Sequence, residues 1–170
     1  MGISAIYFLM SEENVRRQLT LPWVSFSSDA PAIASEEPFR SNIEHPRAYG
    51  TFARLLGHYV RDERVLSLEE AIRRLSSLPA GNLGLSRRGT LARDNAADIV
   101  VFDPRTIADR ATYDDPHRYA TGVVHVLVNG VPVVRGGEHT GAKPGRIVRG
   151  KSWRGAARTP GEGVRVESGG

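Results

Sequence analysis

The chain has 170 residues, 40% of them apolar and 25% charged, which suits one packed domain or one domain with a piece of another. Its net charge of +4 comes from 23 basic against 19 acidic residues. The basic residues are scattered, with no aromatic-interleaved stripe, so nucleic acid is not an expected partner. Cysteine is absent, which excludes disulfides, thiolate nucleophiles and cysteine-based zinc sites.

The first ten residues are apolar toward their end but carry no basic leader, and Glu12 and Glu13 follow at once. A signal peptide is therefore not expected. No run approaches the roughly 18 apolar residues of a membrane span. A cytoplasmic protein without a membrane partner is the expectation. Residues 4–10 are a short run of strand formers and read as a buried parallel-type strand. Ser11 can cap a helix over 12–19, with Glu12 and Glu13 in its first turn. Pro22 ends it, and residues 23–29 read as a second strand that finishes in polar residues. Strand, helix, strand is the rhythm of a βαβ unit.

Residues 30–47 form a long loop with three prolines, and loops of this length usually carry function or disorder. A helix is expected over 49–62. Ser67 and Glu70 form a capping box ahead of Leu68, Ala71, Ile72, Leu75 and Leu78, and Pro79 and Gly81 are expected to close that helix. Glu69 and Glu70 precede Arg73 and Arg74 at the spacing of a solvated, ion-paired face. Beyond Gly84 the pattern turns to strands: residues 89–91, residues 97–103, and two β-rich runs around Asn129-Gly130, a strong hairpin signal. Residues from about 150 onward are rich in Gly, Arg and Ser and read as a disordered tail. The first half holds only two strands, too few for a covered parallel sheet, so it looks like the end of something larger.

Asp29 ends an apolar strand and opens the long loop, the place where (β/α) barrels build active sites. A carboxylate there can ligate a metal, serve as a general base, or simply cap a turn. His45-Pro46-Arg47 is the second candidate. Arg47 could grip a carboxylate through two parallel hydrogen bonds or be an ordinary solvated arginine. His45 is a possible metal ligand or a structural histidine. The five histidines show no His-x-His or His-x-x-x-His spacing, so no metal site assembles from local ligands. A Gly-x-Ser-x-Gly elbow, a P-loop and a dinucleotide fingerprint are all absent.

Four stretches together resemble the C-terminal part of the N-acyl-D-amino-acid deacylases, the D-aminoacylase branch of the amidohydrolase superfamily. They are residues 24–29, ending Ser-Ser-Asp; residues 45–52, His-Pro-Arg-Ala-Tyr-Gly-Thr-Phe, the most specific; residues 66–72 with 78–80; and residues 95–104 with 125–133. The resemblance covers roughly residues 3–150.

The resemblance implies an α/β plus β architecture: the last two strands and helices of an incomplete TIM-like (β/α)8 barrel over 1–84, then part of a small composite β-sandwich domain over 85–150, with 151–170 as the tail. It implies a zinc-dependent hydrolase of N-acyl-D-amino acids. Asp29 then matches the catalytic aspartate of the last barrel strand and is at most a weak metal contact. Arg47 matches the arginine that binds the substrate α-carboxylate. The family's metal-binding histidines have no counterpart here, so the chain alone should bind zinc poorly and be inactive. An upstream barrel half or self-association is the implied partner. A hydantoinase- or dihydroorotase-like fragment, or a non-catalytic assembly module, remains open. The loop after Asp29 looks longer than in the best-known deacylases.

Overall fold

The structure, a computed structural model, describes residues 7–41 and 44–150. The first helix, α1 (Glu12–Leu19), begins where its sequence says it should. Ser11 Oγ accepts the Asn14 N–H at 3.2 Å, Glu12 and Glu13 lie at the positive end of the helix dipole, and Arg16 and Arg17 lie at the negative end. After the long loop, α2 (Arg47–Arg54) runs without a break into a π-helical stretch, Leu55–Asp62. This segment starts two residues before the expected helix and changes hydrogen-bond register halfway along. It supplies Ala53, Leu55, Leu56 and Tyr59 to the core, where they meet Leu19, Ala71 and Ile107.

Helix α3 (Leu68–Leu75) is capped by Ser67 Oγ, which accepts the Glu70 N–H at 3.2 Å. Pro79 and Gly81 do not close it. The chain breaks earlier, at Ser76, and a short helix α4 (Ser77–Asn82) follows. The serine hydroxyls explain the break: Ser76 Oγ donates to Ile72 O at 2.6 Å and Ser77 Oγ to Arg73 O at 3.3 Å, drawing off the carbonyls that a continuing helix would use. Pro79 then falls in the first turn of α4, where a missing N–H costs nothing.

The second half forms one antiparallel sheet in the order β1 (Ile99–Phe102), β2 (Val123–Val128), β3 (Val131–Arg135) and β4 (Glu138–His139). The expected hairpin is present. Asn129 and Gly130 both have positive φ, 49° and 81°, as a two-residue turn matched to strand twist requires. Asp98 pins this turn by accepting the Asn129 N–H at 2.8 Å, and Arg88 bridges Asp98 and the Asn129 side chain. The β2–β3 register shifts between Val126 and Leu127, next to Pro132, which has no N–H to give to the ladder.

Three expected strands are absent. Residues 7–10, 23–29 and 89–91 carry no strand, and among the described residues every strand lies after residue 98. Residues 4–6 of the first expected strand and the expected tail, 151–170, lie outside the described residues. Extended backbone becomes a strand only when a neighbour pairs with its N–H and C=O groups, and no described residue of the first half pairs in that way.

Residues 24–26 are instead held by a side chain. Arg74 is 1% exposed, which corrects its place on a solvated face. Its Nε donates to Val24 O at 2.6 Å, Nη1 to Leu19 O at 2.6 Å and Nη2 to Gln18 O at 3.3 Å. Its guanidinium lies 4.2 Å from the centre of the Phe26 ring, and the Phe26 N–H donates to Arg74 O. Its neighbour Arg73 does take the expected surface role, paired to Glu70 through two hydrogen bonds.

One core serves both halves. Ile107, 2% exposed, packs into the helical cluster, and Phe102, Ala120 and Val123 border it. Arg61 fastens this contact by donating to Ile107 O at 2.6 Å.

Candidate active site

Asp29 and Arg47 come together. Arg47 Nη1 lies 3.2 Å from Asp29 Oδ2, in a pair whose side chains are 46% and 87% exposed. Asp29 holds a left-handed backbone, φ 48°, a conformation that aspartate tolerates better than most residues and that tends to collect at functional sites. Its N–H donates to Ser27 Oγ at 3.3 Å. The carboxylate is thus presented to solvent at the end of an extended segment whose root is clamped by Arg74. In so exposed a pair the attraction is small, of order 0–1 kcal/mol, and easily exchanged for another partner.

Arg47 stands in the first turn of α2. His45 is folded back beneath it, its Nδ1 accepting the Arg47 N–H at 3.0 Å. On the other edge of the ring, His45 Nε2 lies 3.4 Å from Tyr113 Oη, with the two rings edge-on at 5.2 Å. Burial, and then the Arg47 guanidinium, push the imidazole pKa below its ordinary value. Ser27, His45, Arg47, Arg54, Tyr59 and Tyr113 are among the residues that line a cavity of about 610 Å³.

Tyr49 anchors the long loop. Its hydroxyl lies 3.1 Å from both Ala34 O and His117 Nδ1, and burial raises its pKa. Tyr119 Oη accepts the Ser35 N–H at 3.0 Å and reaches Glu36. The second half therefore supports the loop between Asp29 and Arg47.

Among the described residues no group of three or more His, Asp or Glu side chains is placed to hold a metal. Asp29 is paired with a cation, Arg47. The described residues do not by themselves fit a zinc site, and His45 spends one ring nitrogen on backbone and faces a tyrosine with the other. No described helix is long and apolar enough to cross a membrane.

Two residues that shape this site escaped the sequence pattern. Arg74 carried a signal: it falls three residues after Ala71, and the two are the buried residues of α3, where a charge is out of place. Tyr113 carried none, because its contact with His45 spans 68 residues.

The amidohydrolase family profile matches residues 21–134. A D-aminoacylase and an N-acyl-D-glutamate deacylase, both from Alcaligenes xylosoxydans xylosoxydans, are each 42% identical over 85% of this chain. The match takes in 28% of either relative, so the chain spans little more than a quarter of their length. Among solved structures, a D-aminoacylase superposes with a TM-score of 0.72 at 40% identity, over 80% of this chain and 27% of that one. The N-acyl-D-glutamate deacylase of Bordetella bronchiseptica, complexed with zinc and a phosphonate mimic of the tetrahedral intermediate, superposes with a TM-score of 0.67 at 43% identity, over 75% of this chain and 25% of that one. The region that the family profile matches includes Asp29, the His-Pro-Arg turn and strands β1 and β2, and this chain belongs to the D-aminoacylase branch of the amidohydrolase family.

Proposed function

We propose that this chain contributes the proton-transfer carboxylate and the substrate-carboxylate anchor of an N-acyl-D-amino-acid deacylase whose zinc ligands lie outside it. The observation that carries this reading is the pairing of Asp29 with Arg47 at 3.2 Å across the long loop. Hydrolysis of a linear amide consumes one water and needs one proton moved from that water to the departing amine. A solvent-facing carboxylate at a fixed backbone position suits that transfer. Arg47 offers a planar guanidinium to the α-carboxylate through two parallel hydrogen bonds. The incoming carboxylate competes with Asp29 for Arg47, so anchoring the substrate and freeing Asp29 become one event.

On this reading residues 1–84 end a TIM-like barrel and residues 85–150 belong to the small β domain beside it. The completing partner is an upstream barrel half. The relatives being deacylases of linear substrates, nothing favours the cyclic-amide alternative.

The test uses catalytically competent protein containing this chain and a panel of N-acyl-D-amino acids and cyclic ureides. Asp29→Asn should lower kcat by about 100-fold or more with little change in KM, as loss of a proton-transfer group does. Arg47→Lys should raise KM for the N-acyl-D-amino acids. Turnover of cyclic ureides alone, or an Asp29→Asn variant as fast as the parent, would overturn the assignment.

A further inference from the structure

We propose that His45 is a positioning residue for Arg47, fixing the first turn of α2 through Nδ1 while Tyr113 holds the far edge of its ring. The inference rests on Arg47 being the carboxylate anchor. The first N–H groups of a helix have no partner inside it and need acceptors. In α1 and α3 a serine hydroxyl at the N-cap meets that need, at 3.2 Å in both. The N-cap of α2 is Pro46, whose side chain makes no capping bond. The acceptor has moved one residue back, to His45, and the N–H it receives is that of Arg47 itself, at 3.0 Å.

A serine could cap this turn unaided. The imidazole does something more, because it has a second nitrogen. With Nδ1 accepting, the neutral ring carries its proton on Nε2, and that N–H faces Tyr113 Oη at 3.4 Å. Tyr113 in turn packs on Phe8 with ring centres 4.8 Å apart. The root of the Arg47 side chain is thereby tied to the second half of the chain. A two-point grip on a carboxylate tolerates little displacement of the guanidinium, so releasing the turn weakens substrate binding while the proton transfer at Asp29 continues.

Two amide substitutions separate this role from general packing. In His45→Asn the amide oxygen occupies the place of Nδ1, whereas in His45→Gln it is carried one bond farther, toward Nε2. In catalytically competent protein, His45→Gln should raise KM about fivefold to tenfold with kcat within about twofold, and His45→Asn should recover most of the difference. In the 170-residue chain, nitrogen NMR of the ring should show the Nε2–H tautomer. Equal KM for the Asn and Gln variants, a fall in kcat in place of the rise in KM, or an Nδ1–H ring would overturn the proposal. An Arg47→Ala control distinguishes the two readings. If it leaves KM unchanged, the carboxylate-anchor reading fails. If it raises KM while both His45 variants match the parent, only the role of His45 fails.

Discussion

Replacing Arg74 by methionine tests what holds the segment that carries Asp29. The substitution keeps an unbranched stem of similar girth and removes the guanidinium. Two hydrogen bonds of 2.6 Å, to Leu19 O and Val24 O, disappear, together with the longer one to Gln18 O and the contact with the Phe26 ring. A hydrogen bond from a charged donor contributes about 1.5–3 kcal/mol, and an arginine over an aromatic ring about 1 kcal/mol. Against this stands the cost of burying a guanidinium that has no carboxylate partner, of the order of several kcal/mol, which methionine avoids. Gln18 O keeps the Leu21 N–H, but Leu19 O and Val24 O lose the donor that Arg74 gives them in a buried or partly buried setting, so the balance is a net loss of about 2–4 kcal/mol. Arg74→Lys should lie between the two, because an ammonium cannot reach carbonyls on both α1 and the extended segment with a planar fork. Urea unfolding followed by tryptophan fluorescence measures the loss, with Trp23 close to the clamp. An Arg74→Met variant within about 0.5 kcal/mol of the parent would show that the carbonyls are satisfied without the guanidinium, and the clamp would be refuted.

Two further outcomes follow from the geometry. Gly57 lies in the π-helical stretch, where alanine would ordinarily be favoured by about 1 kcal/mol, yet a Cβ there would stand 2.5 Å from Ile107 O. Gly57→Ala should therefore destabilise by more than about 1 kcal/mol in thermal unfolding, and a stabilised variant would mean that the helical half and the Ile107 turn are not packed as described. His45 titrates with a folded pKa below its ordinary value, held down by burial and by Arg47. The folded chain then binds a proton less readily than the unfolded chain, so the contribution of this group is complete above about pH 6.5 and is lost as the pH falls below that value. His45→Asn should flatten the stability profile in that range, and an unchanged slope would place the titration elsewhere.

The helices were legible because their signals are local. Ser11 with its two glutamates, and Ser67 with Glu70, announce helix starts within four residues, and the structure places α1 and α3 on them. The Asn129-Gly130 hairpin was legible for the same reason: only a few residues take positive φ twice in succession. The strands over 7–10 and 23–29 were misread because β-propensity describes a side chain's fit to a pleated surface, while a strand exists only with a partner. Arg74 shows what replaces the partner: a side chain from α3 satisfies Val24 O where a neighbouring strand would have done so. Asp29 and Arg47 were legible as candidates one at a time, from a strand-like segment ending in a carboxylate and from a proline turn. Their meeting was not, since it depends on how the loop between them is folded, and that loop is fastened to the other half by Tyr119 directly and by His117 through the Tyr49 hydroxyl.

The most direct test of the central claim is to measure hydrolysis of an N-acyl-D-amino acid by the 170-residue chain with added zinc, first alone and then mixed with the upstream barrel half of a related D-aminoacylase. Asp29 and Arg47 working at a site whose metal ligands come from elsewhere predict no turnover and no stoichiometric zinc in the chain alone, turnover in the mixture, and its loss with Asp29→Asn. Zinc-loaded turnover by the chain alone, or a mixture as active with Asp29→Asn as with the parent, would contradict it.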